Sequence, residues 1–196
     1  MNFTLVPAAM APNKLSEPLE WSLELWGENK EEFTATDWHD FYRNVQESNY
    51  EYWENERDGK ELLFLAINDL DEVIAAIGLC DFDDLAEFRH LKPWICAFVV
   101  KPNLRGSGVG SKVLAALEVK IVEYGINEIY LWTEDQMSFY AKRGYLEIDQ
   151  LHKPARTIHV MKKKLLTSMK CFTYKPKNRK GPRYLEALPC TAIAIL

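Results

Sequence analysis

The 196-residue chain is 47% hydrophobic and 12% aromatic, enough apolar side chain for one sizeable core, and its ordinary Gly and Pro counts exclude a fibrous or low-complexity protein. No apolar run reaches the roughly 20 residues of a bilayer crossing, and no basic-then-apolar leader opens the sequence, so a cytoplasmic protein without membrane contact is expected. The formal net charge of −5 conceals an imbalance: residues 1–151 hold thirteen basic and twenty-eight acidic side chains, whereas residues 152–183 hold eleven basic and none acidic.

In chain order, Phe3 to Val6 reads as a short strand, and Ser16 as the cap of a helix through Trp26. Thr34 and Asp37 have the spacing of a capping box before a second helix, whose apolar residues Trp38, Phe41, Tyr42, Val45 and Tyr52 recur at helical intervals until Asp58-Gly59. The period then changes. Leu62–Ile67 and Val73–Leu79 are short apolar runs around Asn68-Asp69, which predicts a hairpin. Trp94–Val100 is almost wholly apolar and closed by Pro102, as in a strand covered on both faces. Val109, Val113, Leu117 and Ile121 recur every four residues in a helix that Gly125 ends, and Ile129–Trp132 predicts another buried strand. A short helix around Met137, Tyr140 and Ala141 stops at Gly144, and Tyr145–Ile148 is extended. A loop with His152, Lys153 and Arg156 then leads to a last strand, Thr157–Met161. This is an α/β or α+β plan around a single mixed sheet, with residues 1–165 as the domain and 166–196 as a basic C-terminal extension. Cys80, Cys96, Cys171 and Cys190 are widely spaced with no His at ligand spacing, so reduced thiols and no metal site are expected.

The chemistry centres on Pro102-Asn103-Leu104-Arg105-Gly106-Ser107-Gly108-Val109-Gly110, where a strand runs into a helix. Unpaired N–H groups of a first helical turn converge on one spot, and the helix dipole favours negative charge there. Glycines let the backbone approach phosphate oxygens without a Cβ in the way. The glycines at 106, 108 and 110 do not fit the Gly-x-Gly-x-x-Gly dinucleotide fingerprint, and no Gly-Lys-Ser/Thr ending marks a nucleoside-triphosphate loop.

Arg105-x-x-Gly108-x-Gly110, preceded by Val100-x-Pro102 and followed by Phe139-Tyr140 and Gly144-Tyr145, resembles the signature of the GNAT family of N-acetyltransferases over roughly residues 61–165. The resemblance implies a mostly antiparallel, splayed sheet flanked by helices, with acetyl-CoA in the wedge between strands 94–100 and 128–133. Backbone groups of Phe98, Val99 and Val100 would pair with the pantetheine arm, and those of Arg105, Gly106, Ser107, Gly108, Val109, Gly110 and Ser111 would hold the pyrophosphate. Tyr140 matches the tyrosine near the cofactor sulfur, an acid for the departing thiolate. Thr133 stands where many members have Asn.

Leu131-Trp132-Thr133-Glu134-Asp135-Gln136, with the same Phe139-Tyr140 and Gly144-Tyr145, is further similar to the subgroup that acetylates the processed N-terminus of actin. That likeness implies an acidic protein N-terminus as acceptor, with His152, Lys153 and Arg156 around it. The attacking amine needs a base weak enough for an α-amino group of pKa about 7.7–8.0; Glu134 is the candidate, with His90 a second. A small amine walled by Trp21, Trp26, Trp38, Tyr42, Tyr50 and Trp53 is an alternative, as is a non-catalytic acyl-CoA-binding protein. A monomer without nucleic acid is expected.

Overall fold

The computed structural model describes residues 2–27, 34–47, 61–83, 85–154 and 156–165. Tyr50, Tyr52, Trp53, the predicted helix end at Asp58-Gly59, Cys171, Cys190 and the proposed extension 166–196 lie outside them. Seven strands form one sheet: β1 (Phe3–Pro7), β2 (Leu62–Asn68), β3 (Val73–Cys80), β4 (Trp94–Val100), β5 (Glu128–Thr133), β6 (Leu146–Lys153) and β7 (Arg156–Lys164). Their order is β1-β2-β3-β4-β5-β7-β6, and every neighbouring pair is antiparallel except β4 with β5.

Among the described residues, four helices cover the sheet: α1 (Ser16–Trp26), α2 (Ala35–Glu47), α3 (Val109–Glu123) and α4 (Met137–Ala141). Strand β2 shows why its sequence is continuously apolar. Successive side chains alternate faces: Leu62, Phe64 and Ala66 pack with Val113, Leu114, Leu117 and Ile121 of α3, while Leu63 and Leu65 pack with Trp21, Trp38, Phe41 and Tyr42 of α1 and α2. Both faces are dry, so no polar alternation survives. Trp26 stacks on Trp38 with centroids 5.2 Å apart, and the Tyr42 hydroxyl donates to the Pro18 carbonyl at 3.0 Å. Trp21, Trp38 and Tyr42 are therefore core, with their faces occupied by protein.

The capping box is present: the Thr34 N–H donates to Asp37 at 2.6 Å and the Asp37 N–H donates to Thr34 Oγ1 at 3.3 Å. Ser16 differs from its expected role. A 3-10 turn at Pro12–Lys14 delivers Leu15 already in right-handed helical geometry, so Ser16 is the first helical residue and caps nothing. The segment with His152, Lys153 and Arg156 also differs, because it is the end of two strands rather than a loop; Lys153 pairs with Arg156 across the hairpin. The cause is a β-bulge. Glu147 faces Met161 and Asp149 faces Val160, leaving Ile148 as the extra residue. The bulge shifts face parity, so Leu146 and Leu151, an odd number of residues apart, share the face of Lys162 and Ile158, and the alternation that would identify one long strand is broken.

Candidate active site

Strands β4 and β5 share one bridge pair among the described residues, Trp94 with Tyr130, supported by the Tyr130 N–H donating to Pro93 O at 3.0 Å. Beyond it β4 continues along β3 to Val100, and β5 along β7 to Thr133, so the facing edges of these two parallel strands separate into a wedge. Within β4 the ladder jumps from Cys96 opposite Gly78 to Val99 opposite Ala76. Ala97 and Phe98 thus oppose the single residue Ile77, and Ala97 takes φ 45°. This bulge turns the backbone of Ala97 and Phe98 out of the β3 ladder, at the open edge.

Gly78 permits the close approach. A Cβ there would lie 2.7 Å from Cys96 Sγ and 3.0 Å from Cys96 O. Gly78→Ala is expected to force the strands apart and cost about 1 kcal/mol, read as a lower midpoint in denaturant. An unchanged midpoint would show that the bulge does not depend on that contact.

After β4, a 3-10 turn at Pro102–Leu104 leads into Gly106 at φ 76° and Gly108 at φ 87°. Gly108 is the N-cap of α3 and receives no side-chain capping bond. The N–H groups of Arg105 and Ser107 are engaged with the carbonyls of Pro102 and Leu104, each at 3.3 Å. No acceptor among the described residues takes the N–H of Gly106, Gly108, Val109, Gly110 or Ser111. A Cβ at Gly106 or Gly108 would meet no atom of the described residues within 4 Å. At Gly110 it would meet Val100, Phe98 and Phe139 at 3.5–3.7 Å, so this glycine sits where both strand edge and α4 converge. The Arg105 side chain turns backward: Nε donates to the Val100 carbonyl at 3.1 Å and Nη2 lies 3.7 Å from Glu24. It braces the turn against β4 and α1.

Across the wedge, Thr133 Oγ1 accepts the Gln136 N–H at 3.0 Å, which caps the entry to α4. That helix presents Phe139, 6.4 Å from Phe98 between centroids, and Tyr140, set edge-on against Phe139 and Tyr145. Burial raises the Tyr140 pKa above its ordinary value, opposed by the nearby Arg143 guanidinium and aided by Asp83, so the phenol stays protonated at neutral pH. Below it, the Tyr145 hydroxyl donates to Glu118 at 3.0 Å, and Lys163 Nζ donates to the same carboxylate at 2.6 Å, fixing the start of β6 against α3.

The two residues expected as base and acceptor ligand meet each other. Arg156 Nη1 donates to Glu134 Oε1 at 2.6 Å, which brings the tip of the β6–β7 hairpin to the end of β5. His152 Nδ1 lies 3.2 Å from Thr157 Oγ1 on the same hairpin. His90 is exposed in the β3–β4 connection, on the approach to Trp94 rather than to the glycine turn. Sequence reasoning missed Arg143. In sequence it reads as half of a basic pair, Lys142-Arg143, at a helix end; in space it donates to the Phe139 carbonyl and to Ser111 Oγ at the first turn of α3.

A profile of the acetyltransferase (GNAT) family matches residues 30–145, more than half of the chain. No curated protein sequence matches it significantly. Among solved structures, the chain is similar to aminoglycoside 6'-acetyltransferase type Ii (TM-score 0.60, 18% identity, 85% of this chain and 98% of that one). It is also similar to a PaiA N-acetyltransferase from Thermoplasma acidophilum in complex with coenzyme A (TM-score 0.57, 20% identity, 84% and 99%) and to a spermidine N-acetyltransferase chimera from Vibrio cholerae (TM-score 0.58, 15% identity, 84% and 96%). At these identities the likeness shows the fold, and the family match identifies the enzyme class: the chain belongs to the GNAT family of acetyl-CoA-dependent N-acetyltransferases.

Proposed function

We propose that the enzyme transfers an acetyl group from acetyl-CoA to the α-amino group of an acidic peptide N-terminus by direct attack in the β4–β5 wedge. The single observation that carries the donor half is the set of amides at Gly106, Gly108, Val109, Gly110 and Ser111 without internal acceptors, at the positive end of α3. Phe98, Val99 and Val100, on the strand edge that no neighbour among the described residues covers, line the path from that turn to the bulge. They are suited to pair with the pantetheine amides as an added strand would. The neutral amine attacks the thioester carbon, the carbonyl oxygen gains charge beside the backbone N–H groups near Val99, and the C–S bond then breaks. The amine's proton leaves towards solvent near Glu134, whose carboxylate the Arg156 guanidinium holds in place. Tyr140 donates a hydrogen bond to the departing sulfur.

The acceptor half rests on the hairpin. The Glu134–Arg156 bond brings Lys153 and His152 to the mouth of the wedge, a basic rim on an otherwise acidic body. A small-molecule amine is the second reading, favoured because structures of this fold include aminoglycoside and spermidine acetyltransferases. Incubation with acetyl-CoA and a panel of acidic peptides, neutral peptides, polyamines and aminosugars separates them; turnover confined to the last two classes would replace the peptide reading. Lys153→Gln is expected to raise KM for acidic peptides about two- to fivefold, as a rim charge does, with no change for neutral ones and a smaller effect at high salt. Equal losses for both peptide types would remove the electrostatic role.

A further inference from the structure

Arg143 carries a charge that no described carboxylate pairs with, and it sits at an unfavourable place for a cation. Its Nη1 donates to the Phe139 carbonyl, its Nη2 donates to Ser111 Oγ, and its guanidinium lies over the Phe139 ring, 3.6 Å from the centroid. The Nε is buried with no acceptor. Two of the five N–H donors of a guanidinium are thus used. Ser111 belongs to the first turn of α3, where the helix dipole is positive and repels a cation. An anion at that turn would convert the repulsion into attraction from both sources. Because the Ser111 oxygen accepts from Arg143, its own proton is directed elsewhere, which makes it a further donor to such an anion.

We propose that Arg143 is a positioning residue for the acyl donor, tying the diphosphate-binding turn to the helix that carries Tyr140. It adds positive charge behind the amides of Gly108, Val109, Gly110 and Ser111. Through its bonds to Phe139, it also sets the distance from that turn to α4. A lysine could supply the charge but not the fork that reaches Ser111 and Phe139 together. The proposal rests on the reading of the glycine turn as the diphosphate site.

The test uses the full chain and two donors: acetyl-CoA, and acetyl-pantetheine, which lacks the nucleotide diphosphate. Arg143→Gln is expected to raise KM for acetyl-CoA about tenfold, the scale of a lost charged hydrogen bond, and to lower kcat with either donor because the tie to the Tyr140 helix is lost, so that kcat/KM for acetyl-pantetheine falls by the kcat factor alone. The acetyl-CoA affinity of the variant is also expected to depend less steeply on salt. Arg143→Lys is expected to regain the salt dependence while kcat stays low, and it serves as the folded comparison if Arg143→Gln melts early. Equal losses for both donors, or an unchanged acetyl-CoA KM beside a saturable native enzyme, would overturn the proposal. A native enzyme that binds neither acetyl-CoA nor coenzyme A would overturn the diphosphate reading itself, a distinguishable result.

Discussion

Gly108→Val is expected to raise the dissociation constant for acetyl-CoA at least tenfold, a loss of about 1.4 kcal/mol, measured by titration calorimetry on the folded variant. Two separable effects contribute. At φ 87° a β-branched residue is strained, which is expected to lower the melting temperature. The added side chain also projects into space that no described residue fills, beside amides with no acceptor among the described residues. Asparagine tolerates left-handed geometry far better than valine. Gly108→Asn is therefore expected to keep most of the stability and still weaken acetyl-CoA binding. If both variants bind the donor as the native protein does, the turn is not the diphosphate site.

Tyr140→Phe is expected to lower kcat about a hundredfold, the scale of losing one donor to a developing charge, with KM for acetyl-CoA unchanged. The ring contacts with Phe139 and Tyr145 survive the change, so stability should hold. The raised pKa limits what this phenol can do. A thiol has a reference pKa of about 8.5, so a tyrosine above its own ordinary value would lose free energy by giving up its proton completely. It acts as a hydrogen-bond donor to the thiolate, and the proton comes ultimately from the attacking amine. The pH profile checks this. Rate rises with pH as the acceptor amine deprotonates, with a midpoint at about 7.7–8.0 for an α-amino group. Because Tyr140 remains protonated across that range, removing its hydroxyl should lower the plateau and leave the midpoint in place. A displaced midpoint, or an unchanged kcat, would remove Tyr140 from the chemistry.

What could be read in the sequence was local. Gly106 and Gly108, which take positive φ, and Gly110 mark a helix start within a few residues, and Thr34 with Asp37 encodes a cap three residues apart. The apolar run of β4 announced cover on both faces, and those of β2 and β3 announced a hairpin. What could not be read depends on partners distant in the chain. Arg143 meets Ser111 across 32 residues and Arg156 meets Glu134 across 22, and neither pairing leaves a periodic trace. The β4 bulge was hidden for a different reason: Ala97 and Phe98 continue an apolar run, so nothing in composition marks an extra residue. In β6 the bulge at Ile148 erased the alternation that would have joined Tyr145–Ile148 to the hairpin. The likeness of residues 131–145 to one acceptor subgroup lies on β5 and α4, which flank the proposed donor wedge, so it bears on the acceptor only through the hairpin beside it.

The bridge between Trp94 and Tyr130, the one β4–β5 pair among the described residues, has a thermodynamic corollary. Two half-sheets meet at a seam stitched at one end, and the donor's pantetheine would supply the missing rungs along β4. Ligand saturation then becomes part of the conformational stability of the molecule: at a hundredfold excess over the dissociation constant it adds about 2.7 kcal/mol. Amide exchange along β4 from Ile95 to Val100 should slow on adding the donor, while β1, on the far side of the sheet, should barely respond.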